Sequence, residues 1–390
     1  MKLKVYPIAV LTLCTLINVV LGFKHVWSVL VPYVELEFKV SRSLAVLPFS
    51  LMTITNIIGF MSVDYVKSKL GLRPLLALIA TSSVIGLLIT SLSPNVFTLI
   101  ASYAFIYGVG HALGYVLAVS LGVKWFYSKG RGFAAGITSG GYSLGTLVLA
   151  PATSYLITTY GWRQATLIVT AITAAVMIPA VFVLREPEYE VRDSRVYSPA
   201  DVLRTKVFYV AWLMIFLTSL VDGFAAAHLA PYTTEYIGVD IMSASMVVSI
   251  YSAMNFISRI VMGALAEHLG ICSVLMISYI ASTINITLFR YYRSLPLMCL
   301  GSSIIGMLHG TNVALTPLVA SQLWGSKYLG SNYGLLLTAA TTSMLVGPLI
   351  GSISYDLTRS YECSMIVLTA GSAIGLILLL VFRNLSRRYS

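Results

Sequence analysis

The sequence predicts an all-α membrane protein with twelve transmembrane helices in two pseudo-symmetric six-helix bundles. The composition is the first observation: 58% of the 390 residues are hydrophobic and only 10% are charged, whereas a soluble domain carries about 25% charged residues. The second observation is that charges and turn residues divide the chain into twelve apolar stretches. The third is an internal repeat. This composition argues against a soluble enzyme, a disordered protein and a nucleic-acid-binding protein.

Each apolar stretch is long enough to cross about 30 Å of hydrocarbon as an α-helix. The alternation of period two that a membrane strand needs is absent. The first stretch is too long for a signal peptide and lacks a small-residue cleavage site. The predicted spans lie at about 5–33, 43–66, 73–93, 96–124, 133–160, 162–184, 208–236, 242–268, 271–292, 295–323, 331–358 and 362–383.

The distribution of Lys and Arg predicts that both termini are cytoplasmic. With that orientation most of the 25 cationic residues fall in inside segments, as the positive-inside rule requires. The net charge of +11 is therefore a topology signal, and a multi-pass protein of the cell membrane is expected. Two cations, Lys24 and Arg259, lie within the spans.

The longest polar stretch, 185–207, separates six spans from six. We therefore predict an N-terminal bundle at 1–184, a cytoplasmic linker at 185–207 and a C-terminal bundle at 208–390. Parallel repeats of six spans, with a ligand site near the membrane midplane between them, are a transporter architecture. The halves match at an offset near 200 residues through Pro32-Tyr33 and Pro231-Tyr232, Asp64 and Glu267, Gly108 and Gly306, His111 and His309, Gly136 and Gly334, and Pro151 and Pro348.

Short sequence motifs resemble those of a known family. The segment Gly263-Ala-Leu-Ala-Glu267-His-Leu-Gly270 resembles the loop signature of the major facilitator superfamily, with Glu in place of Asp and without the basic residues that follow. The first-half copy keeps Asp64 and Arg73 but has Phe60 at the first glycine position. Because an acid can pair with cations or with a helix N-terminus, we predict gating or structural roles for Asp64, Arg73 and Glu267.

A narrower resemblance covers nearly the whole chain. It is to the monocarboxylate porters and their oxalate/formate antiporter relatives, and it implies transport of small carboxylate anions, with a proton or by exchange. The motifs that carry it are Lys124-Trp125-Phe126, Arg131-Gly132, Ala135-Gly136, Gly161-Trp162-Arg163, His228-Leu229-Ala230-Pro231-Tyr232 and Asn332-Tyr333-Gly334.

Arg259 is the sharpest candidate binding residue. A guanidinium near the middle of a span costs about 2.5–3.5 kcal/mol unless it meets water or an anion, and its fork matches a carboxylate. Asn255 lies four residues earlier, on the same helix face, and can donate to the same anion. In the resembling family the arginine at this place binds the substrate carboxylate; pairing with a structural acid is the alternative.

Six further polar residues fall within the spans. Lys24 and Asp222 are predicted to pair and to neutralise each other, although Asp222 or His25 is also a candidate proton carrier, since burial raises the pKa of a carboxylate. Tyr115, which matches the family pattern, can donate to a carboxylate or pack between helices. The repeat-related His111 and His309 can bind substrate, carry a proton, or satisfy backbone groups.

The substrate is expected to be a monocarboxylate such as lactate, pyruvate, acetate or formate. The oxalate-exchanging relatives carry a lysine in the eleventh span, and Ala340 takes that place here. Lys24 could supply the second charge, so an oxalate-type dicarboxylate antiporter stays an alternative. A non-transporting receptor is another.

An enzyme is not expected, because acids within the spans are scattered and no P-loop is present. Rings of like residues, typical of channels, are missing as well. We predict no cofactor and no metal, a functional monomer, and as partners the substrate, possible protons and the lipid bilayer.

Overall fold

The computed structural model describes residues 2–126, 130–187 and 196–387. All regular elements in these ranges are helical. They are α1 (Lys2–Leu21), a 3₁₀ turn (Gly22–Val26), α2 (Trp27–Phe38), α3 (Arg42–Leu70), α4 (Leu72–Leu92), α5 (Val96–Ala101), a π-helical segment (Ser102–Tyr107), α6 (Gly108–Trp125), α7 (Arg131–Tyr160), α8 (Trp162–Val183), α9 (Pro199–Val202), α10 (Lys206–Ile237), α11 (Ile241–Leu269), α12 (Ile271–Phe289), α13 (Leu295–Trp324), α14 (Leu329–Thr358) and α15 (Glu362–Ser386).

The twelve predicted spans are confirmed: within the described residues, twelve helices or helix groups are long and apolar enough to cross a membrane. The first span, Tyr6–Phe38, joins α1, the 3₁₀ turn and α2, and it runs further than its predicted end at residue 33. The fourth, Val96–Trp125, joins α5, the π-helical segment and α6. Residues 188–195 of the predicted linker lie outside the described part of the chain.

The break in the first span occurs at Lys24. Gly22 begins the 3₁₀ turn and approaches the backbone of α7 so closely that a side chain would not fit. A break inside a membrane helix frees backbone carbonyls, which must find other donors. Here the Tyr103 hydroxyl donates to the Lys24 carbonyl at 3.1 Å, and the Thr146 hydroxyl donates to the Gly22 carbonyl at 3.0 Å. The turn is therefore satisfied by side chains of neighbouring helices.

The chain divides into two compact units. The first comprises the described residues within Met1–Lys129, Ile137–Arg192 and Leu329–Gly334, and the second those within Gly130–Gly136, Asp193–Tyr328 and Leu335–Ser390. The first turns of α7 thus belong to the second unit, and the first turns of α14 to the first unit. The bundle boundaries at 184 and 208 stay a prediction.

Two repeat-related glycines, one in each unit, make the same kind of close approach to a facing helix. In the second unit Gly136 of α7 lies against the carbonyl of Arg259 on α11, and in the first unit Gly334 of α14 lies against the carbonyl of Phe60 on α3. A methyl group at either glycine would overlap the facing backbone. The two glycines are the repeat-related pair found in the sequence, so at this position the two halves share the same helix packing.

Helices α11 and α13 of the second unit are also held together by glycines. Gly306 lies against the backbone of Tyr251 and Asn255, and Gly310 lies against the Asn255 carbonyl and the Ser258 hydroxyl. Small residues four positions apart let two membrane helices approach closely. This packing brings the turn of α11 that carries Asn255 and Arg259 beside the turn of α13 that carries His309.

Candidate functional site

Arg259 lies in the second unit on α11, and only 3% of it is exposed. Its Nε donates a 2.9 Å hydrogen bond to Oδ1 of Asn255. The i, i+4 geometry expected for these two residues is thus present, but Asn255 contacts the arginine itself. That bond holds the plane of the guanidinium, so Asn255 positions the fork as well as being a candidate donor to an anion.

Asp222 on α10 is fully buried. Among the described residues it forms an ion pair with His309 on α13. His309 Nδ1 lies 3.4 Å from Asp222 Oδ2. Arg259 is close enough to Asp222 to interact with it electrostatically. Neither Oδ1 nor Oδ2 of Asp222 has a hydrogen-bond partner in the described part of the chain. The sequence did not predict this pairing, although both residues lie near the middle of their helices. The pairing of Asp222 with Lys24 stays a prediction.

A narrow cavity adjoins this pair within the second unit. Its polar wall includes Ser219, Asp222, His309 and Asn312, and its apolar wall on α14 includes Leu337, Ala340 and Met344. Asn312 donates to the Thr218 and Ser219 hydroxyls at 3.3 and 3.2 Å, and Tyr279 donates to Asn312 Oδ1 at 3.0 Å. A satisfied buried network of this kind is rigid, so it fixes α10 relative to α13 one turn away from Asp222 and His309.

In the first unit Lys24 lies in the 3₁₀ turn and is 9% exposed. Its ammonium is 5.1 Å from the centre of the Phe49 ring, a cation–π contact that stabilises a desolvated cation. His25 is exposed, and its ring packs near Phe49 and Tyr142 at 5.8 and 5.4 Å between centroids. The 3₁₀ turn thus holds a buried Lys24 and an exposed His25 near the same Phe49 ring.

His111 on α6 is buried and both of its ring nitrogens have partners. Nδ1 is 2.9 Å from Asn56 Oδ1, and Nε2 is 3.1 Å from the Tyr142 hydroxyl. With Nδ1–H donating to Asn56, Nε2 accepts from Tyr142 and the neutral ring is fully satisfied. Lys24 and His25 are close enough to the His111 ring to interact with it electrostatically. This arrangement favours a structural role, and the proton role of His111 stays a prediction.

Tyr115, one turn further along α6, is 7% exposed. The Tyr333 hydroxyl donates to the Tyr115 hydroxyl at 3.4 Å, and the Tyr115 ring is 5.3 Å from that of Tyr142. Tyr142 therefore contacts three of the predicted residues, His25, His111 and Tyr115, and was missed because it lies on a different helix. Its position in the glycine-rich fifth span was the available signal.

The two loop acids cap helix N-termini. Asp64 Oδ2 accepts the Ser331 backbone N–H at 2.8 Å within the first unit, and Glu267 Oε1 accepts the Gly132 and Phe133 backbone N–H groups at 2.7 and 3.0 Å within the second. Unpaired N–H groups and the helix dipole make such an end a favourable place for a carboxylate. Arg73 is exposed and forms none of the ion pairs found in the described residues.

Removing either cap is expected to lower thermal stability. Asp64→Ala and Glu267→Ala each leave helix N–H groups without their acceptor, which costs about 0.5–2 kcal/mol. Asp64→Ala is expected to have the larger effect, because Asp64 is buried and also pairs with Lys67 at 3.3 Å. Thermal unfolding in detergent measures both. The exposed acid of α10, Glu235, provides the control as Glu235→Ala. Unchanged melting in both cap variants would contradict the capping role.

The start of the linker is bound to the first unit. Lys67 Nζ lies 2.7 Å from Glu186 Oε1, and Lys124 Nζ lies 3.8 Å from the same atom. Burial raises the pKa of Glu186, but the charge and hydrogen bond of Lys67 and the charge of Lys124 outweigh burial, so the pKa lies below its usual value. Glu186 is therefore ionised near neutral pH and holds the linker against α3 and α6.

A single chain with twelve apolar helices and a few buried intramembrane charges is typical of a secondary transporter. The chain belongs to the Major Facilitator Superfamily, whose family model matches residues 11–221 and 211–390. It is thus a multi-pass membrane transporter of that superfamily, a class whose members are generally not enzymes.

Curated relatives include carboxylate transporters. The chain is 24% identical to the oxalate:formate antiporter of Oxalobacter formigenes over 88% of this chain and 83% of that protein. It is 24% identical to monocarboxylate transporter 12 of Homo sapiens over 78% of this chain and 66% of that protein. An uncharacterised transporter of Escherichia coli, YhjX, is 22% identical over 81% of this chain and 80% of its own length. The predicted family resemblance is confirmed.

Solved structures share the fold. The fucose:proton symporter FucP of E. coli matches with a TM-score of 0.75 at 15% identity, covering 97% of this chain and 99% of that one. The proton:xylose symporter XylE matches with a TM-score of 0.74 at 14% identity, covering 97% and 96%. The predicted all-α fold is therefore confirmed.

Proposed function

We propose that this protein transports small monocarboxylate anions across the cell membrane by alternating access, and that Arg259 binds the substrate carboxylate. One observation carries the proposal: a guanidinium that is 3% exposed in the eighth span has its Nε held by Asn255. A planar fork fixed in this way is suited to bidentate recognition of a carboxylate. The pairing of two planar groups supplies geometric selectivity as well as attraction.

The charge balance around Arg259 supports a monoanion. Asp222 interacts electrostatically with Arg259, so the second unit has an acidic side chain near the fork and not a second cation. The cavity wall on α14 that faces Asp222 and His309 carries Leu337, Ala340 and Met344. This wall offers no second cation for a dicarboxylate, and it suits the short aliphatic part of a monocarboxylate.

Tyr115 and Lys24 are proposed as further substrate contacts. The chemistry of the side chains supports this: Tyr115 has a hydroxyl and a ring and is 7% exposed, and the Lys24 ammonium lies 5.1 Å from the centre of the Phe49 ring. His309 is proposed as a substrate neighbour, and His25 and His111 remain candidates for proton handling. We also propose that the protein functions as a monomer and that both termini lie in the cytoplasm. The proposed bundle boundaries are at residues 184 and 208. The relatives' names support the substrate class, one being a monocarboxylate transporter and one an oxalate:formate antiporter.

The test is uptake by the purified protein in liposomes. Liposomes preloaded with unlabelled lactate, pyruvate, acetate or formate are expected to accumulate the same labelled anion transiently, because a carrier exchanges substrate across the membrane. Unlabelled oxalate is expected to compete weakly. Transport of oxalate without transport of any monocarboxylate would favour a dicarboxylate antiporter. Binding without accelerated exchange would indicate a receptor and would contradict the proposal.

A further inference from the structure

We propose that Asp222 and His309 together hold the proton that is coupled to transport, and that Arg259 links this proton to the substrate. The inference deepens the proposed function and rests on it. It assigns the coupling to a carboxylate–imidazole pair between α10 and α13, in the same unit as the arginine that binds the anion.

The geometry of the pair suits one shared proton. Asp222 Oδ2 and His309 Nδ1 are 3.4 Å apart, Asp222 is fully buried, and His309 is 17% exposed. Neither carboxylate oxygen of Asp222 has a hydrogen-bond donor among the described residues, so the contact with His309 is an ion-pair contact. A buried carboxylate without donors is costly when ionised, so a proton brought by the more accessible imidazole is readily held. His309 provides the path for that proton, and Asp222 provides the charge that retains it.

Few other titratable groups face Asp222. Helix α11 presents Arg259 and Tyr251, and helix α12 presents Tyr279, each of which interacts electrostatically with Asp222. The Tyr279 hydroxyl already donates to Asn312. Helices α14 and α15 carry no titratable side chain at 336–354 or 364–382. The charge near the middle of the second unit is therefore set by Arg259, Asp222 and His309.

The net charge of each form of the carrier explains how proton movement is coupled to substrate movement. Without substrate and without the proton, the Asp222 carboxylate balances Arg259. With both ligands, the substrate anion balances Arg259, and the Asp222–His309 pair with its proton is neutral. A carrier holding only the anion has one excess negative charge, and one holding only the proton has one excess positive charge. Because an unbalanced charge inside a membrane protein is costly, only the empty and the doubly loaded forms are expected to reorient.

The surrounding structure keeps the pair together while ligands change. Asn312 stands one turn from His309 on α13, and its amide bonds to Thr218 and Ser219, one turn from Asp222 on α10. The two helices are thus bridged by neutral hydrogen bonds that do not depend on protonation. The proton can leave or enter the pair without separating α10 from α13.

The experiment compares two assays on the parent and on Asp222→Asn in liposomes. With the outside more acidic by one pH unit, the parent is expected to accumulate labelled pyruvate about tenfold at equilibrium, and an internal pH dye is expected to report proton entry. Asp222→Asn is expected to lose both signals. It is expected to keep pyruvate exchange at equal pH. In this variant the bound anion balances Arg259, so the loaded carrier is neutral and can reorient, whereas the empty carrier has an excess positive charge and cannot.

Matched variants separate the outcomes. Asp222→Glu is expected to recover accumulation, and His309→Gln to shift the pH dependence of exchange. Glu235→Gln and His268→Gln, two exposed residues of the same unit, are expected to behave like the parent. Proton-driven accumulation by Asp222→Asn at the parental level would overturn the inference. So would exchange without any proton-driven accumulation in the parent, a result that leaves the proposed transport intact. Absence of exchange in the parent would instead contradict the proposed function.

Discussion

Arg259→Ala is expected to lower substrate exchange by at least about 100-fold. Hydrogen bonds to charged groups contribute about 1.5–3 kcal/mol each, and a bidentate pair with a carboxylate makes two of them. Every 1.4 kcal/mol corresponds to about a tenfold change in affinity. The alanine variant also leaves Asp222 without the positive charge with which it now interacts. Initial rates of labelled pyruvate exchange in liposomes measure the effect.

Two variants divide the contribution of Arg259 into charge and geometry. Arg259→Lys keeps the charge but not the fork, so we expect an intermediate loss. Asn255→Ala removes the 2.9 Å bond to Nε and is expected to cost about tenfold, since the guanidinium is less well oriented. Arg204→Gln, at an exposed position, is the control. Exchange by Arg259→Ala within tenfold of the parent would contradict the assigned role.

Gly310→Ala is expected to destabilise the second unit and to abolish most transport. The added methyl group would overlap the Ser258 hydroxyl and the Asn255 carbonyl and would lie 3.0 Å from the Arg259 backbone nitrogen. Overpacking costs about 1–3 kcal/mol when side chains can adjust, and here one of the facing atoms is a backbone carbonyl. Helices α11 and α13 must separate, which displaces both Asn255 and Arg259.

Gly371→Ala is the matched control for Gly310→Ala. Gly371 is also a buried helical glycine of the second unit, but the nearest atom to its added methyl group is the Leu217 carbonyl oxygen at 3.5 Å. This is an ordinary contact, so we expect parental melting and parental exchange. Equal melting temperatures for the parent and Gly310→Ala, measured in detergent, would show that α11 and α13 tolerate separation and would contradict the packing argument.

Much of the architecture was predictable because a bilayer imposes simple rules. Span length follows from hydrocarbon thickness, so all twelve helices could be placed from the positions of charges and turns. The Asn255–Arg259 bond was partly predictable, since residues four apart share a helix face. For Asp64 and Glu267 the sequence predicted two possible kinds of partner, cations or a helix N-terminus, and did not decide between them. The loop motif also did not predict which helices these acids cap, α14 for Asp64 and α7 for Glu267.

Contacts between helices were decided by the tertiary structure. Asp222 and His309 are 87 residues apart in the chain and 3.4 Å apart in space. Their helices are apolar around the whole circumference, so hydrophobic periodicity does not mark the face that each turns to the other. The 3₁₀ turn at Lys24 was equally hidden, since it depends on hydroxyls of Tyr103 and Thr146 that satisfy the opened backbone.

The amino-acid sequence alone establishes a twelve-helix membrane protein of duplicated design and singles out Lys24 and Arg259 as its intramembrane cations. Local rules suffice for this, because charge is expensive in hydrocarbon and therefore conspicuous. The tertiary structure shows which groups contact the intramembrane charges: Asn255 bonds to the Arg259 guanidinium, the Phe49 ring lies near the Lys24 ammonium, and His309 lies beside Asp222. In a membrane, helix rotation is set by close packing at small residues and by polar contacts, and these form only when the helices meet.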